Sequence, residues 1–187
     1  AGEPPGTQPM TAPSSEPAPK RRGLFAIIIT ATALGPLSLN IFVPSMPGLQ
    51  EAFGVDYGTA QLTLIFFMAG LAGAQLVHGS LSDRFGRRPT LLLGVILVLV
   101  ASLGCAFSGD IEALIFWRFA QSIGACAGAV VGRAVVRDIY GHERAAKALA
   151  YIGIAFSLSP AASPIIGGYL QVWFGWRSSF AFLVAVS

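Results

Sequence analysis

The chain has 187 residues, of which 54% are hydrophobic and 11% are charged, whereas soluble domains average about 25% charged residues. That composition excludes an ordinary soluble domain. The net charge of +3 is small, and the basic residues form no stripe of the kind that binds nucleic acid. Five apolar stretches approach the roughly 20 residues that a helix needs to cross a bilayer. The sequence therefore predicts an all-α integral membrane protein embedded in a lipid bilayer.

The amino-terminal segment differs in composition from the rest of the chain. Residues 1–19 hold six of the twelve prolines, and such a polar, proline-rich stretch cannot bury enough apolar surface to fold. Three basic residues, Lys20 to Arg22, then precede the first apolar stretch. We interpret residues 1–22 as a disordered cytoplasmic tail and residues 23–187 as one transmembrane unit.

The transmembrane unit divides into six predicted spans. The sixth is too short to cross an apolar core of about 30 Å, so we interpret it as truncated. Ten Lys and Arg residues fall in the predicted inner segments and one, Arg177, in an outer turn. Because positive charge accumulates on the cytoplasmic side, this distribution predicts a cytoplasmic amino terminus. The spans are about 24–43, 59–78, 90–107, 111–136, 148–172 and 176–187.

Three polar residues are candidates for a cavity within the membrane: Asn40, Gln61 and Arg118. An arginine at the centre of a span costs about 2.5–3.5 kcal/mol on insertion scales, so it normally faces a cavity or a polar partner. Arg118 lies about two turns from the outer end of its span, so a snorkelling arginine is the alternative. Cys105 and Cys126 fall inside apolar stretches, where buried packing is the usual role of a free cysteine.

Residues 79–89 form a charged segment between the second and third spans, and its three arginines predict a cytoplasmic turn. An ordinary basic loop would explain the arginines but not an aspartate and two glycines at fixed spacing. The segment resembles the loop motif between the second and third helices of major facilitator superfamily transporters. The matching residues are Gly79, Leu81, Asp83, Arg84, Gly86, Arg87 and Arg88.

Later segments resemble other motifs of the same superfamily. Residues 118–124 resemble its fourth-helix motif R-x-x-Q-x-x-G, and residues 160–168 resemble the fifth-helix motif of drug:proton antiporters. Residues 132–138 and 174–177 resemble the Bcr/CflA multidrug-efflux branch in particular. The matching residues of the fifth-helix motif are Pro160, Pro164, Gly167 and Gly168.

The resemblance implies the amino-terminal six-helix half of a twelve-helix transporter, with the substrate site between the two halves. It implies that Asp83, Arg87 and Asp138 form a cytoplasmic charge cluster that joins the halves when the transporter faces outward. It also implies that Arg118 takes part in proton coupling and that the fifth-helix motif governs leakage and direction. The implied partners are a small-molecule substrate, protons and a missing carboxy-terminal half.

Two positions depart from the pattern of the branch. Asn40 stands where the branch usually carries a carboxylate, and asparagine cannot titrate. None of the nine acidic residues lies in the interior of a predicted span, since Glu112 stands at the outer edge of 111–136, although a proton-coupled carrier needs a membrane-embedded group that exchanges a proton. We therefore expect the proton-carrying carboxylate in the missing half, or a coupling that differs from the branch norm. Ser80 replaces a usual proline and leaves the charges of the segment unchanged.

The favoured function is secondary active export of drugs or other small amphipathic compounds, by proton antiport, across a bacterial-type inner membrane. One alternative is a metabolite or sugar transporter of the same fold, which the fifth-helix motif argues against. The other is a non-transporting membrane partner subunit. The sequence contains no phosphate-binding loop, His/Cys ligand cluster or nucleophile elbow, so we expect no enzyme activity, metal or cofactor. Aromatic residues available to line an apolar site are Phe66, Phe67, Phe119 and Phe156.

Overall fold

The structure, a computed structural model, describes the backbone of residues 19–187 and the side chains of residues 27–138 and 145–187. The predicted disorder of residues 1–18 lies outside the described residues, and residues 19–22 belong to the first helix. The described chain is helical throughout and contains no strand. Its elements are α1 (Pro19–Asn40), a single 3₁₀ turn (Val43–Ser45), α2 (Met46–Phe53), α3 (Tyr57–Phe85), α4 (Arg87–Phe107), α5 (Ile111–Phe174) and α6 (Arg177–Val186).

Five segments are long and apolar enough to cross a membrane, as the sequence predicted. The long helix α5 supplies two of them, which we name α5a (Ile111–Asp138) and α5b (Ala145–Phe174). The last helix, α6, has only 10 residues. The predicted all-α membrane fold is therefore confirmed, with a sixth span that is short within this chain.

The two segments of α5 run in opposite directions. Leu114 near the start of α5a and Ile166 near the end of α5b pack in the same apolar cluster with Phe180. Val136 and Ala145 meet at the other end in a second cluster. The chain therefore reverses between α5a and α5b. We call the end of the bundle that carries Arg87 the inner end and the opposite end the outer end.

Helix α5a forms the centre of the bundle. In an apolar stretch of 18 residues within α5a, 56% of the residues are buried, whereas in the corresponding stretch of α5b 11% are buried. Small residues allow this central position because a β-carbon at Gly124 would come within 2.6 Å of the carbonyl oxygen of Gly94 on α4. A β-carbon at Gly128 would overlap the backbone of Ala31 on α1. The face of α5a that carries Gly124 and Gly128 thus contacts two neighbouring helices.

The structure differs from the predicted spans at both ends of the bundle. Residues 44–58 were predicted to be an outer loop, but most of them form the 3₁₀ turn and α2. At the inner end α3 continues to Phe85, so that Gly86 alone separates α3 from α4. Hydropathy marks where a chain leaves the bilayer, whereas backbone hydrogen bonding extends the helix beyond that point. The predicted turn at residues 79–89 is therefore mostly helical.

Candidate functional site

A cluster of three charged residues lies at the inner end. Nη1 of Arg87 is 2.5 Å from Oδ1 of Asp83, and Nε of Arg87 is 3.2 Å from Oδ2 of Asp138. The same Nη1 donates to Oγ of Ser82 at 2.9 Å. Arg87 therefore joins the last turn of α3 to the inner end of α5a from the first residue of α4. The structure brings together the three residues that the resemblance placed in one cluster.

Gly86 makes this cluster possible because it turns the chain sharply between two helices. Its φ of +94° is a backbone conformation that residues other than glycine rarely adopt. Arg84 lies with its Cζ 5.6 Å from the centre of the Phe85 ring, and Arg88 is exposed. Gly79 lies within α3, and a β-carbon at this position would meet no atom within 4 Å. Of the two motif glycines, only Gly86 has a conformational requirement.

Arg118 is completely buried in the outer half of the bundle. Its Nη1 donates to the carbonyl oxygen of Ser38 at 3.0 Å and to Oε1 of Gln121 at 2.8 Å. Gln121 in turn donates to Oγ of Ser102 at 2.7 Å. This chain of hydrogen bonds connects α1, α5a and α4 through polar groups that would otherwise be buried without partners.

Three aromatic rings surround the same guanidinium. The Cζ atom of Arg118 lies 4.4 Å from the ring centre of Phe67, 4.6 Å from that of Phe42 and 5.8 Å from that of Phe180. At these distances a cation is attracted to a ring face, and the attraction strengthens when water is excluded. Nε and Nη2 find no hydrogen-bond acceptor among the described residues. We define Phe42, Phe67 and Phe180 as the aromatic cage of Arg118.

The three predicted cavity residues do not form one site within the described chain. Arg118 is completely buried and has Ser38 and Gln121 as polar partners, so it does not snorkel to the surface of this bundle, and its place in a transport cavity stays a prediction. Nδ2 of Asn40 donates to the carbonyl oxygen of Pro36 at 2.7 Å, and its side chain is half-buried. Gln61 is exposed on α3. Periodicity places a residue on a helix but does not show which neighbouring helix covers it.

The fifth-helix motif contacts α1 through one of its glycines. A β-carbon at Gly167 would overlap the carbonyl oxygen of Ile41, whereas one at Gly168 would meet nothing within 4 Å. Pro164 is half-buried and Pro160 is exposed. The motif thus contacts the first span closely at Gly167. At Gly168 the helix faces open space within the described part of the chain.

The predicted aromatic lining separates into different places. Phe66 and Phe119 border a shallow groove of about 270 Å³ between α3 and α5a. Phe67 belongs to the aromatic cage, and Phe156 is exposed on α5b. Both cysteines are buried and unpaired, which confirms their prediction as packing residues.

Phe42 and Phe180, two of the rings around Arg118, were not predicted from the sequence. Gln121 stands one turn after Arg118, a spacing that brings side chains together on a helix. The cage rings come from the turn after α1, from α3 and from α6, which are distant in sequence, and no local pattern distinguishes them from phenylalanines that face lipid. Their selection depends on the packing of α1, α3 and α6 around α5a.

The fold defines a multi-pass α-helical membrane protein. The family model described as Major Facilitator Superfamily matches residues 28–187. The chain therefore belongs to the major facilitator superfamily.

The comparisons with known proteins also confirm the resemblance to the Bcr/CflA-type resistance branch. The chain is 38% identical over 151 residues to a "Chloramphenicol resistance protein" of Pseudomonas aeruginosa. This alignment covers 80% of the chain and 36% of the relative. It is 30% identical to a "Bicyclomycin resistance protein homolog" of Haemophilus influenzae over 86% of this chain and 41% of the relative. It is 27% identical to "Multidrug resistance protein D" of Escherichia coli over 87% of this chain and 41% of the relative. The chain thus spans about two fifths of the length of the curated relatives that it matches.

Proposed function

We propose that the protein exports drugs or other small amphipathic compounds across a bacterial inner membrane by proton antiport. Relatives named "Chloramphenicol resistance protein" and "Bicyclomycin resistance protein homolog" support this cargo class. The proposal includes a second helical half that completes the transport path, and a cytoplasmic amino terminus. The ten inner basic residues against one outer basic residue support that orientation.

The charge cluster at the inner end is the observation that carries the mechanism. Its side chains are partly open, with relative exposures of 34% for Arg87, 68% for Asp83 and 57% for Asp138. Coulomb attraction strengthens several-fold when a surface pair moves into a partly dry interface. We propose that the second half covers the cluster when the transporter faces outward and releases it when the transporter faces inward. The cluster then acts as a conformational latch, a two-state contact that substrate and protons bias.

The acidic residues near the membrane suggest where the transported proton binds. The acidic residues with described side chains all lie outside the central turns of the spans: Glu51, Asp56, Asp83, Asp110, Glu112 and Asp138. We propose that the proton-carrying carboxylate belongs to the second half. Undiminished proton antiport after neutralisation of every intramembrane carboxylate of that half would contradict this assignment.

Transport by the full-length protein tests the latch. Asp138→Asn should lower chloramphenicol efflux from loaded cells several-fold at an unchanged protein level, because Arg87 loses its contact with α5a. Glu51→Gln, at an exposed position on α2, is the control and should export normally. Normal efflux by Asp138→Asn would contradict the proposed role of the cluster as a latch. Failure of the wild-type protein to export chloramphenicol or unrelated dyes, with uptake of a sugar or metabolite instead, would favour the alternative cargo.

A further inference from the structure

Arg177 begins α6 at the outer end, where it is the one basic residue predicted to lie outside. Its Nε donates to the carbonyl oxygen of Ala106 at 3.0 Å, and its Nη2 donates to that of Ser108 at 3.3 Å. Its Cζ also lies 4.4 Å from the ring centre of Trp176. The side chain of Arg177 therefore spans from α6 to the end of α4.

The end of α4 needs such donors because the last four carbonyls of a helix have no partner within it. Ser108 satisfies the carbonyl oxygen of Cys105 through its own Oγ at 2.8 Å. Arg177 supplies the donors for the next accessible carbonyls and places positive charge at the negative end of the helix dipole. This cap accounts for a basic residue on the side of the membrane that positive charge otherwise avoids.

An aromatic chain leads from this cap to Arg118. Trp176 is only 6% exposed, and its ring centre lies 6.2 Å from that of Phe180, one turn further along α6. Phe180 is completely buried, and its ring centre lies 5.2 Å from that of Phe42. Both of these phenylalanines belong to the cage of Arg118. Phe180 of α6 and Phe42, against which it packs, thus supply two of the three cage rings.

We propose that Arg177 is a positioning residue for Arg118: by capping α4 from α6, it holds Phe180 and Phe42 against the buried guanidinium. Lysine cannot reproduce this cap fully, because its single ammonium lacks the planar, forked donors that reach two carbonyls. The proposal concerns the structure around Arg118 and does not depend on which compound is transported.

Alkylation of Cys105 and Cys126 by N-ethylmaleimide in membranes of the full-length protein tests the cap locally. Cys105 is completely buried in the same cluster as Trp176 and Phe180, whereas Cys126 is buried elsewhere on α5a and serves as the internal reference. Arg177→Gln should accelerate alkylation of Cys105 on the order of tenfold by allowing local opening, with Cys126 unchanged. Arg177→Lys should give an intermediate rate. Equal rates for wild type and Arg177→Gln, or an equal increase at both thiols, would overturn the proposal.

Double-mutant cycles test the connection to the cage. The loss of melting temperature from Arg177→Gln should be smaller in a Phe180→Leu background, because the ring that Arg177 positions is absent. A Phe67→Leu background is the matched control, since Phe67 touches Arg118 from α3 and should give additive losses. Additive losses with both phenylalanines would show that Arg177 does not act through Phe180. These measurements do not require drug transport. Failure of the proposed function can therefore be distinguished from failure of the proposed role of Arg177.

Discussion

Gly167 of α5b packs directly on Ile41, so closely that a β-carbon at position 167 would overlap the carbonyl oxygen of Ile41. This contact holds an otherwise sparsely packed helix against the first span. Backbone atoms cannot move aside as a flexible side chain can, so the contact tolerates only glycine. The adjacent Gly168 has no such neighbour and offers a natural control.

Gly167→Ala should destabilise the protein by about 1–3 kcal/mol, the usual range for overpacking a tight contact. Gly168→Ala adds the same methyl group in open space and should leave stability unchanged or slightly raised. Thermal unfolding of the two purified variants in one detergent measures the difference. Equal melting temperatures would show that α5b shifts freely on α1.

Gly86→Ala should destabilise the inner turn by about 1–3 kcal/mol, because alanine rarely adopts the backbone conformation found there. Gly79→Ala is the matched control, since this residue lies in α3 with open space around it. Alanine in a helix is more stable than glycine by about 0.5–1 kcal/mol, so the control should be neutral or stabilising. Urea-induced exposure of a cysteine introduced at Ser82 would follow the turn. A control variant as unstable as Gly86→Ala would contradict the conformational explanation.

Arg118→Lys should lose most of the stability that Arg118 provides. A lysine keeps the charge but lacks the planar group that donates to Ser38 and Gln121 while facing the aromatic cage. Truncation to Met leaves those acceptors buried and unpaired, which costs about 1–3 kcal/mol each. Melting temperatures should therefore fall for both variants by similar amounts. If Arg118→Lys kept wild-type stability and transport, the positive charge of Arg118 alone would be sufficient. That result would contradict a structural role for its planar hydrogen-bonding group.

Asp56 begins α3 as a pH-sensitive cap. Its carboxylate accepts hydrogen bonds from the Thr59 hydroxyl and from the amides of Gly58 and Thr59, and the Thr59 hydroxyl is the largest cause of a pKa below the ordinary value of 3.8. A lowered pKa in the folded state means that the charged cap stabilises the fold above the unfolded pKa. This contribution is lost as the pH falls through the folded pKa.

Asp56→Asn should therefore be less stable than wild type at neutral pH, and the difference should vanish in acid. Asparagine retains the capping geometry but cannot ionise, so the comparison isolates the charge. Melting temperatures of both proteins between neutral and acidic pH provide the measurement. A difference that is independent of pH would assign the effect of the substitution to geometry instead.

Much of the candidate site could be predicted residue by residue, although not its arrangement. The motif matches identified Asp83, Arg87 and Asp138 together, and the structure joins them across 51 residues of chain between Arg87 and Asp138. Arg118 was also identified, but the side chains that cover it were not. Three rings from distant parts of the chain cover it, and the sequence contains no local signal for such burial.

The sequence by itself determined the membrane class, the five long spans, the basic inner segments and the residues of the charge cluster. Each of these depends on length, composition or short spacing, which the order of residues specifies directly. The tertiary structure alone decided that α5a is central, that α2 fills the outer loop, that Arg118 is caged and that Arg177 caps α4. These features depend on which helix faces meet, and that choice is made by backbone contacts at glycines such as Gly128 and Gly167, between segments far apart in the chain.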